Sequence, residues 1–354
     1  MFNKGVFCAL VVVIGLLGLS VRAQQNVSTI DVSRFGPQVG RQVPDFQLTD
    51  QQDRVWTRDS IMGPSGAMIV FSRSVDWCPY CKTQMIDLQS RLPELKAQGL
   101  GLAVITYDST AVMADFARRR GITFPLLSDP GSRTIKGYGI LNTTVAEGSS
   151  NHGIPFPGTF VINRRGEVTA RFFEEAYQER TTISNIMVTL GTDARPVNAN
   201  RITTDHLQIT TYATDEAVAP GSLFSIVFDV TPRERMHVYA PGAKGYKIIS
   251  VNLEPNPWLV TRPVQYPPSE IYHFKPLNER VPVFQNPFRL TQSMAVATSP
   301  EHRAALAKIE MVTIKGMLDY QACDDRICFT PKSIPVSYTV KLRRLDTERA
   351  TVAK

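Results

Sequence analysis

The stretch Ala67-Met68-Ile69-Val70-Phe71-Ser72-Arg73-Ser74-Val75-Asp76-Trp77-Cys78-Pro79-Tyr80-Cys81 decides the fold. Its first five residues are an unbroken apolar run of strand length. Cys81 then opens a segment to Ala97 in which Met85, Leu88, Leu92 and Leu95 recur at helical spacing, with Pro93 expected to kink it. A dithiol between a buried strand and a helix start has its chemistry built into the geometry. The positive end of the helix dipole and its free N–H groups stabilise a thiolate, lowering a cysteine pKa from ~8.5 towards ~3.5–7.5. Cys78 is the expected nucleophile and Cys81 the resolving cysteine, with Trp77 shielding one flank. A structural disulfide and half of a zinc site are the alternatives, but no other Cys or His stands at ligand spacing. Asp76 and Lys82 flank the pair and could tune it, although solvated loop charges are the plainer reading.

Outward from this point the pattern is that of an α/β domain over residues 40–190. Strands are predicted at Leu100–Tyr107 and Phe124–Leu127, with a helix between them that starts at Ser109 or Thr110. Arg118-Arg119-Arg120 read as its solvated end and Gly121 as its cap. A hairpin is expected over Thr159–Ile162 and Val168–Phe172, and a closing helix over Ile183–Leu190. Residues 191–202 read as a linker. From 203 to 342 the chain turns to Val, Ile, Thr, Tyr and Pro in short alternating runs, interrupted by one helical fragment at Pro300–Ala307, which predicts an antiparallel β-sandwich. Residues 343–354 read as a tail.

At 354 residues, 43% hydrophobic and 20% charged, the chain is long enough for two domains at roughly 150 residues each. The formal charge of +7 comes without the basic face and interleaved aromatics of a nucleic-acid binder. Met1–Lys4 form a basic start, Val6–Leu19 an apolar run and Val21-Arg22-Ala23 a small-residue exit. This reads as a signal peptide over 1–23, removing Cys8 and sending the chain to an oxidising compartment, with an uncleaved anchor as the alternative. A flexible leader over 24–39 follows. The histidines at 152, 206, 237, 273 and 302 share no ligand spacing, and neither a metal nor a cofactor is called for. The second dithiol, Cys323 and Cys328, lies at the mouth of a predicted hairpin, where spacing alone fits both a permanent clip and an exchanging pair. The charged Asp324, Asp325 and Arg326 between them make the loop accessible.

Gly40, Pro44-Asp45-Phe46, Leu48 and Asp50, then the WCPYC motif, then Pro157-Gly158-Thr159-Phe160-Val161-Ile162-Asn163 with Gly166 resemble the alkyl hydroperoxide reductase/thiol-specific antioxidant branch of the thioredoxin superfamily. The resemblance implies a thioredoxin-like fold and a cis Pro157 beside the redox pair. It also implies a peroxidatic position at Cys81, but Cys78 stands where that family places a threonine, and no arginine lies in Pro157–Phe160. Dithiol–disulfide exchange needs neither group. The intervening Pro-Tyr is similar to that of glutaredoxins, implying a potential of about −200 to −230 mV.

Tyr320-Gln321-Ala322-Cys323 through Cys328-Phe329-Thr330-Pro331 resembles the motif of the N-terminal periplasmic domain of the DsbD thiol:disulfide interchange family. This implies an immunoglobulin-like sandwich whose dithiol takes electrons from a membrane-embedded thiol reductase. It also implies an aromatic cap over the cysteines, for which Tyr272 and Phe274 are the candidates. The expectation is an exported, periplasmic thiol–disulfide oxidoreductase acting on protein disulfides or small thiols. A peroxidase with a built-in reductant domain, and a redox domain with a docking sandwich, are the alternatives.

Overall fold

The computed structural model describes residues 31–192, 199–274 and 278–351. The expected signal peptide, the start of the leader and most of the expected linker lie outside them. Among the described residues no helix is long and apolar enough to cross a membrane.

The first half contains β1 (Gln47–Asp50), β2 (Val55–Thr57), β3 (Gly66–Phe71), α1 (Pro79–Ser90), α2 (Leu92–Ala97), β4 (Leu100–Thr106), α3 (Thr110–Arg120), β5 (Leu126–Ser128), α4 (Arg133–Gly137), β6 (Gly158–Ile162), β7 (Val168–Phe173), β8 (Arg180–Thr181) and α5 (Ile183–Thr189). Seven strands form one sheet in the order β2-β1-β5-β4-β3-β6-β7, with β3, β4 and β5 parallel. Every residue of β3 is buried, because a central strand is covered on both faces. Its side chains alternate accordingly. Met68 and Val70 join Met85, Leu88, Leu92 and Leu95 under the helices, while Ala67, Ile69 and Phe71 meet Ile135, Tyr138 and Phe160 on the other face. The helix broken by Pro93 becomes α1 and α2, hinged at Arg91. Gly121 caps α3 in the left-handed region, at φ 64°.

The second half contains β9 (Asn200–Thr203), β10 (Leu207–Ala213), β11 (Ala217–Val218), β12 (Ser222–Pro232), β13 (His237–Tyr239), β14 (Ser250–Leu253), β15 (Leu259–Gln265), β16 (Glu270–Phe274), β17 (Glu279–Phe284), β18 (Phe288–Val296), α6 (Pro300–Leu306), β19 (Met311–Tyr320), β20 (Ala322–Cys323) and β21 (Lys332–Leu342). One sheet orders β15-β18-β12-β10-β9 and a second β11-β21-β19-β14. Phe224, Ile226, Phe228 and Met294 from the first share a core with Ile314, Leu318, Tyr338 and Val340 from the second. A third sheet, β16-β17-β13-β20, carries Cys323 at its edge.

Three expected boundaries move. Residues 31–38 of the leader are docked rather than flexible: Phe35 stacks on Phe156 at 4.2 Å, and Arg171 donates to the carbonyls of Val32, Ser33 and Phe35. The linker ends early, since Asn200–Thr203 pairs with β10. The two halves also share a seam, because β8 pairs in parallel with the start of β12, at Arg180↔Ser222 and Thr181↔Leu223. The expected tail crosses back over the first half, where side-chain ion pairs hold it.

Candidate active site

Cys78 caps the N-terminus of α1, its Sγ accepting from the Cys81 N–H at 3.3 Å, and Pro79 supplies the first helical residue without a donor to satisfy. The preceding loop is pinned from beneath by Asp108. Its carboxylate accepts from the Val75 N–H at 2.7 Å and the hydroxyls of Ser74 and Thr106 at 2.9 and 3.0 Å. Burial lifts the pKa of Asp108, against those hydrogen bonds. Trp77 donates to the Tyr107 hydroxyl at 2.9 Å, and the Arg73 guanidinium lies between the rings of Trp77 and Tyr177.

Cys78 and Cys81 form a disulfide and are 1% and 0% exposed. Arg180 is the residue sequence reasoning missed. Its Nη2 donates to Cys81 Sγ at 3.2 Å, and its Nη1 holds the carbonyls of Tyr177 and Glu179. Burial, with the charge of Arg73 second, lowers its pKa. No sequence signal marks it, because it arrives from a two-residue strand 99 positions from Cys81. Pro157 is buried just before β6, whose Gly158 pairs with Phe71 at the end of β3. The expected cis bond is corrected: among the described residues no peptide is cis. The Phe156 N–H bonds the Ile140 carbonyl at 2.7 Å just before the strand.

Asp76 and Lys82 are not solvated. Both are buried, and both are engaged by the C-terminal segment: Asp76 by Arg349 at 2.7 Å, Lys82 by Asp346 at 3.7 Å. Arg120 likewise pairs with Asp346 rather than facing water.

The second dithiol is also closed, with Cys323 buried and Cys328 exposed. The Tyr239 hydroxyl lies 3.0 Å from Cys323 Sγ and 3.3 Å from Cys328 Sγ. Tyr239 stacks on Tyr246, which donates to Glu279 at 2.6 Å. Burial raises the Tyr239 pKa, so the phenol stays protonated and able to donate. Tyr272 and Phe274, both on β16, line the same cavity of about 220 Å³ as the two cysteines. The His237 ring lies 4.5 Å from that of Tyr272 in that wall, tilted by 34°; burial lowers its pKa, against the attraction of Asp324. Among the described residues no cluster of His, Cys, Asp and Glu is arranged to hold a metal.

The first dithiol abuts one end of the β-rich half, and the second lies at the other end. Ser222 pairs with Arg180, the neighbour of Cys81, and β12 runs from there to Pro232. Beyond it the Arg233 N–H bonds the His206 carbonyl, the His206 ring packs on Phe329, and the Phe329 N–H bonds Ala322 beside Cys323. At ~3.3 Å per strand residue the separation is on the order of 30 Å. Direct exchange within one chain is out of reach in this arrangement.

The AhpC/TSA family model matches residues 39–171. Alkyl hydroperoxide reductase E of Mycobacterium tuberculosis (strain H37Rv) is 30% identical over 138 residues, 38% of this chain and 84% of that protein. The thiol-disulfide oxidoreductase ResA of Bacillus anthracis is 24% identical over 144 residues, 40% of this chain and 74% of its own length. A solved structure, the peroxidoxin BcpB from M. tuberculosis, aligns at 22% identity and a TM-score of 0.36, covering 40% of this chain and 89% of that one. The chain therefore belongs to the AhpC/TSA family and is an enzyme of the class that holds thiol–disulfide oxidoreductases and peroxiredoxins.

Proposed function

We propose that the protein is an exported, periplasmic thiol–disulfide oxidoreductase working through Cys78 and Cys81. The observation that carries this reading is the helix N-cap at Cys78, whose sulfur accepts an N–H as a thiolate would. In the reduced enzyme the Cys78 thiolate attacks a disulfide sulfur of the substrate, and the other substrate sulfur leaves as a thiolate. Cys81 then attacks Cys78 Sγ, releasing the second substrate thiolate, so two electrons leave the enzyme and the Cys78–Cys81 disulfide remains. Trp77 and Pro157 support the loop and strand around the pair. The 30% identical hydroperoxide reductase and the ResA relatives support the reaction class.

The second dithiol, in a DsbD-like sandwich, acts as the electron donor or acceptor, with Tyr272 and Phe274 capping it. A membrane-embedded thiol reductase is its proposed supplier. Because of the ~30 Å separation, its exchange with Cys78 runs between chains or through a partner. Trapping tests the reading: a Cys81→Ser variant should accumulate a mixed disulfide at Cys78 with an exported protein, detected by mass spectrometry. Absence of any Cys78 adduct refutes it.

One observation favours peroxide as a second substrate. Arg180 supplies the guanidinium that Pro157–Phe160 lacks, although from another side and without the hydroxyl that Cys78 displaces. Stopped-flow peroxide consumption, compared with insulin reduction, separates the two activities.

A further inference from the structure

The disulfide that the proposed reaction needs is covered by the protein's own C-terminal segment. Leu345 packs, with Trp77, against the buried cluster of Cys78, Tyr80 and Cys81. On one side of Leu345, Arg343 pairs with Asp87 at 2.9 Å. On the other, Asp346 accepts from Arg120 at 2.6 and 3.1 Å, and its N–H bonds Thr83 Oγ1 at 3.2 Å. Glu348 faces Arg119 and Arg120, and its carbonyl takes the buried Lys82 ammonium. Arg349 closes on Asp76, whose Oδ1 also accepts the Ala350 N–H at 2.9 Å.

The manner of attachment is informative. Residues 343–351 form no strand or helix, and beyond Arg343 side chains of the first half hold them. Such a segment can lift off without breaking a ladder, leaving α1 and α3 intact. What it uncovers is a groove with an apolar floor at the dithiol, three cations at Lys82, Arg119 and Arg120, and an anion at Asp76. With Cys78 only 1% exposed and Leu345 packed on its cluster, no partner sulfur reaches it in this arrangement.

We propose that residues 343–351 are a self-ligand occupying the docking groove of the enzyme's protein partner. The partner it stands in for is an extended polypeptide segment carrying an apolar residue followed by carboxylates, presented next to a disulfide. The apolar residue replaces Leu345 over the dithiol and the carboxylates replace Asp346 and Glu348 on the cations. This deepens the thiol–disulfide reading above and rests on it.

The test compares the full chain with a chain ending at Arg344 and with the full-length Leu345→Ala variant, which keeps the length if truncation impairs folding. Insulin reduction by Cys78/Cys81 should rise about tenfold in both, as a mostly closed state becomes mostly open. A synthetic peptide of residues 343–351 should slow the truncated chain, whereas the same peptide with Asp346→Asn and Glu348→Gln should not. Unchanged rates in both variants, or equal inhibition by both peptides, overturn the proposal. Iodoacetamide alkylation of the pre-reduced protein reads cover without turnover. Faster Cys78 alkylation on removing the segment, with no insulin reduction by any form, supports the cover and refutes the exchange reading alone. Equal alkylation in all forms overturns the cover itself.

Discussion

Arg180→Met removes the guanidinium from Cys81 while keeping an unbranched side chain in its place. The bond lost is charge-assisted at 3.2 Å, in a site with no solvent exposure at the sulfur. Hydrogen bonds to charged groups contribute about 1.5–3 kcal/mol. At 1.36 kcal/mol per pKa unit, the Cys81 thiol should rise by about one to two units. The sign for the redox couple follows. At a pH where Cys81 is ionised, Arg180 stabilises its thiolate and therefore the reduced enzyme; there the couple becomes more reducing without it, by about 30–60 mV at ~30 mV per 1.4 kcal/mol. The pKa is read from thiolate ultraviolet absorbance in a Cys78→Ser background, and the potential from glutathione equilibration of the two-cysteine enzyme. Arg180 also holds the carbonyls of Tyr177 and Glu179, so thermal melting accompanies both measurements. Arg180→Lys, which retains a cation, should fall between the two. An unchanged Cys81 titration and an unchanged potential in a folded Arg180→Met protein would refute the assigned role.

Three further outcomes are expected. Asp215 is buried and accepts from Thr182 and Thr214, each at 2.7 Å; burial, with the charge of Asp87 second, lifts its pKa to about 6. The folded state then holds this proton to higher pH than the unfolded chain. The contribution of Asp215 to stability is therefore fullest below about pH 4 and is lost as pH rises through about 6. Asp215→Asn should flatten that slope in urea titrations, and parallel curves would contradict it. Tyr239→Phe removes the hydroxyl that touches both C-terminal sulfurs, worth about 0.5–1.5 kcal/mol. It should slow reduction of Cys323–Cys328 several-fold without altering alkylation of Cys78, and equal effects at both pairs would oppose that assignment. Gly221→Ala places a Cβ 2.4 Å from the Gln178 carbonyl at a φ of 83°. It should lower stability by about 1–3 kcal/mol, seen as a reduced denaturation midpoint.

What the sequence disclosed was local. The helix start beside the dithiol, which the structure sets at Pro79 rather than Cys81, the break at Pro93 and the cap at Gly121 each depend on residues within a turn of one another, so spacing and residue type announce them. Tyr272 and Phe274 came from a resemblance rather than from spacing, and both line the cavity beside Cys323 and Cys328. Arg180 and the Leu345–Arg349 segment were not legible, for a common reason. Arg-Leu-Asp-Thr-Glu-Arg has no period and reads as solvated, and its partners lie more than 220 positions away. The charges of Asp76, Lys82 and Arg120 misled for the same cause, since a charge run declares its solvation only when its counterions are known. The cis Pro157 was borrowed from a resemblance, and among the described residues the chain has no cis peptide.

The length of β12 has a consequence for the kinetics. Two dithiols separated by the length of the β-rich half, on the order of 30 Å, cannot short-circuit each other. Direct traffic between them runs from one chain to another, and its flux rises with the square of the enzyme concentration while each dithiol's traffic with its own partners rises only in proportion. When the enzyme is dilute, the two ends are insulated and can stand at different potentials. When it is crowded, the same molecules become mutually conducting.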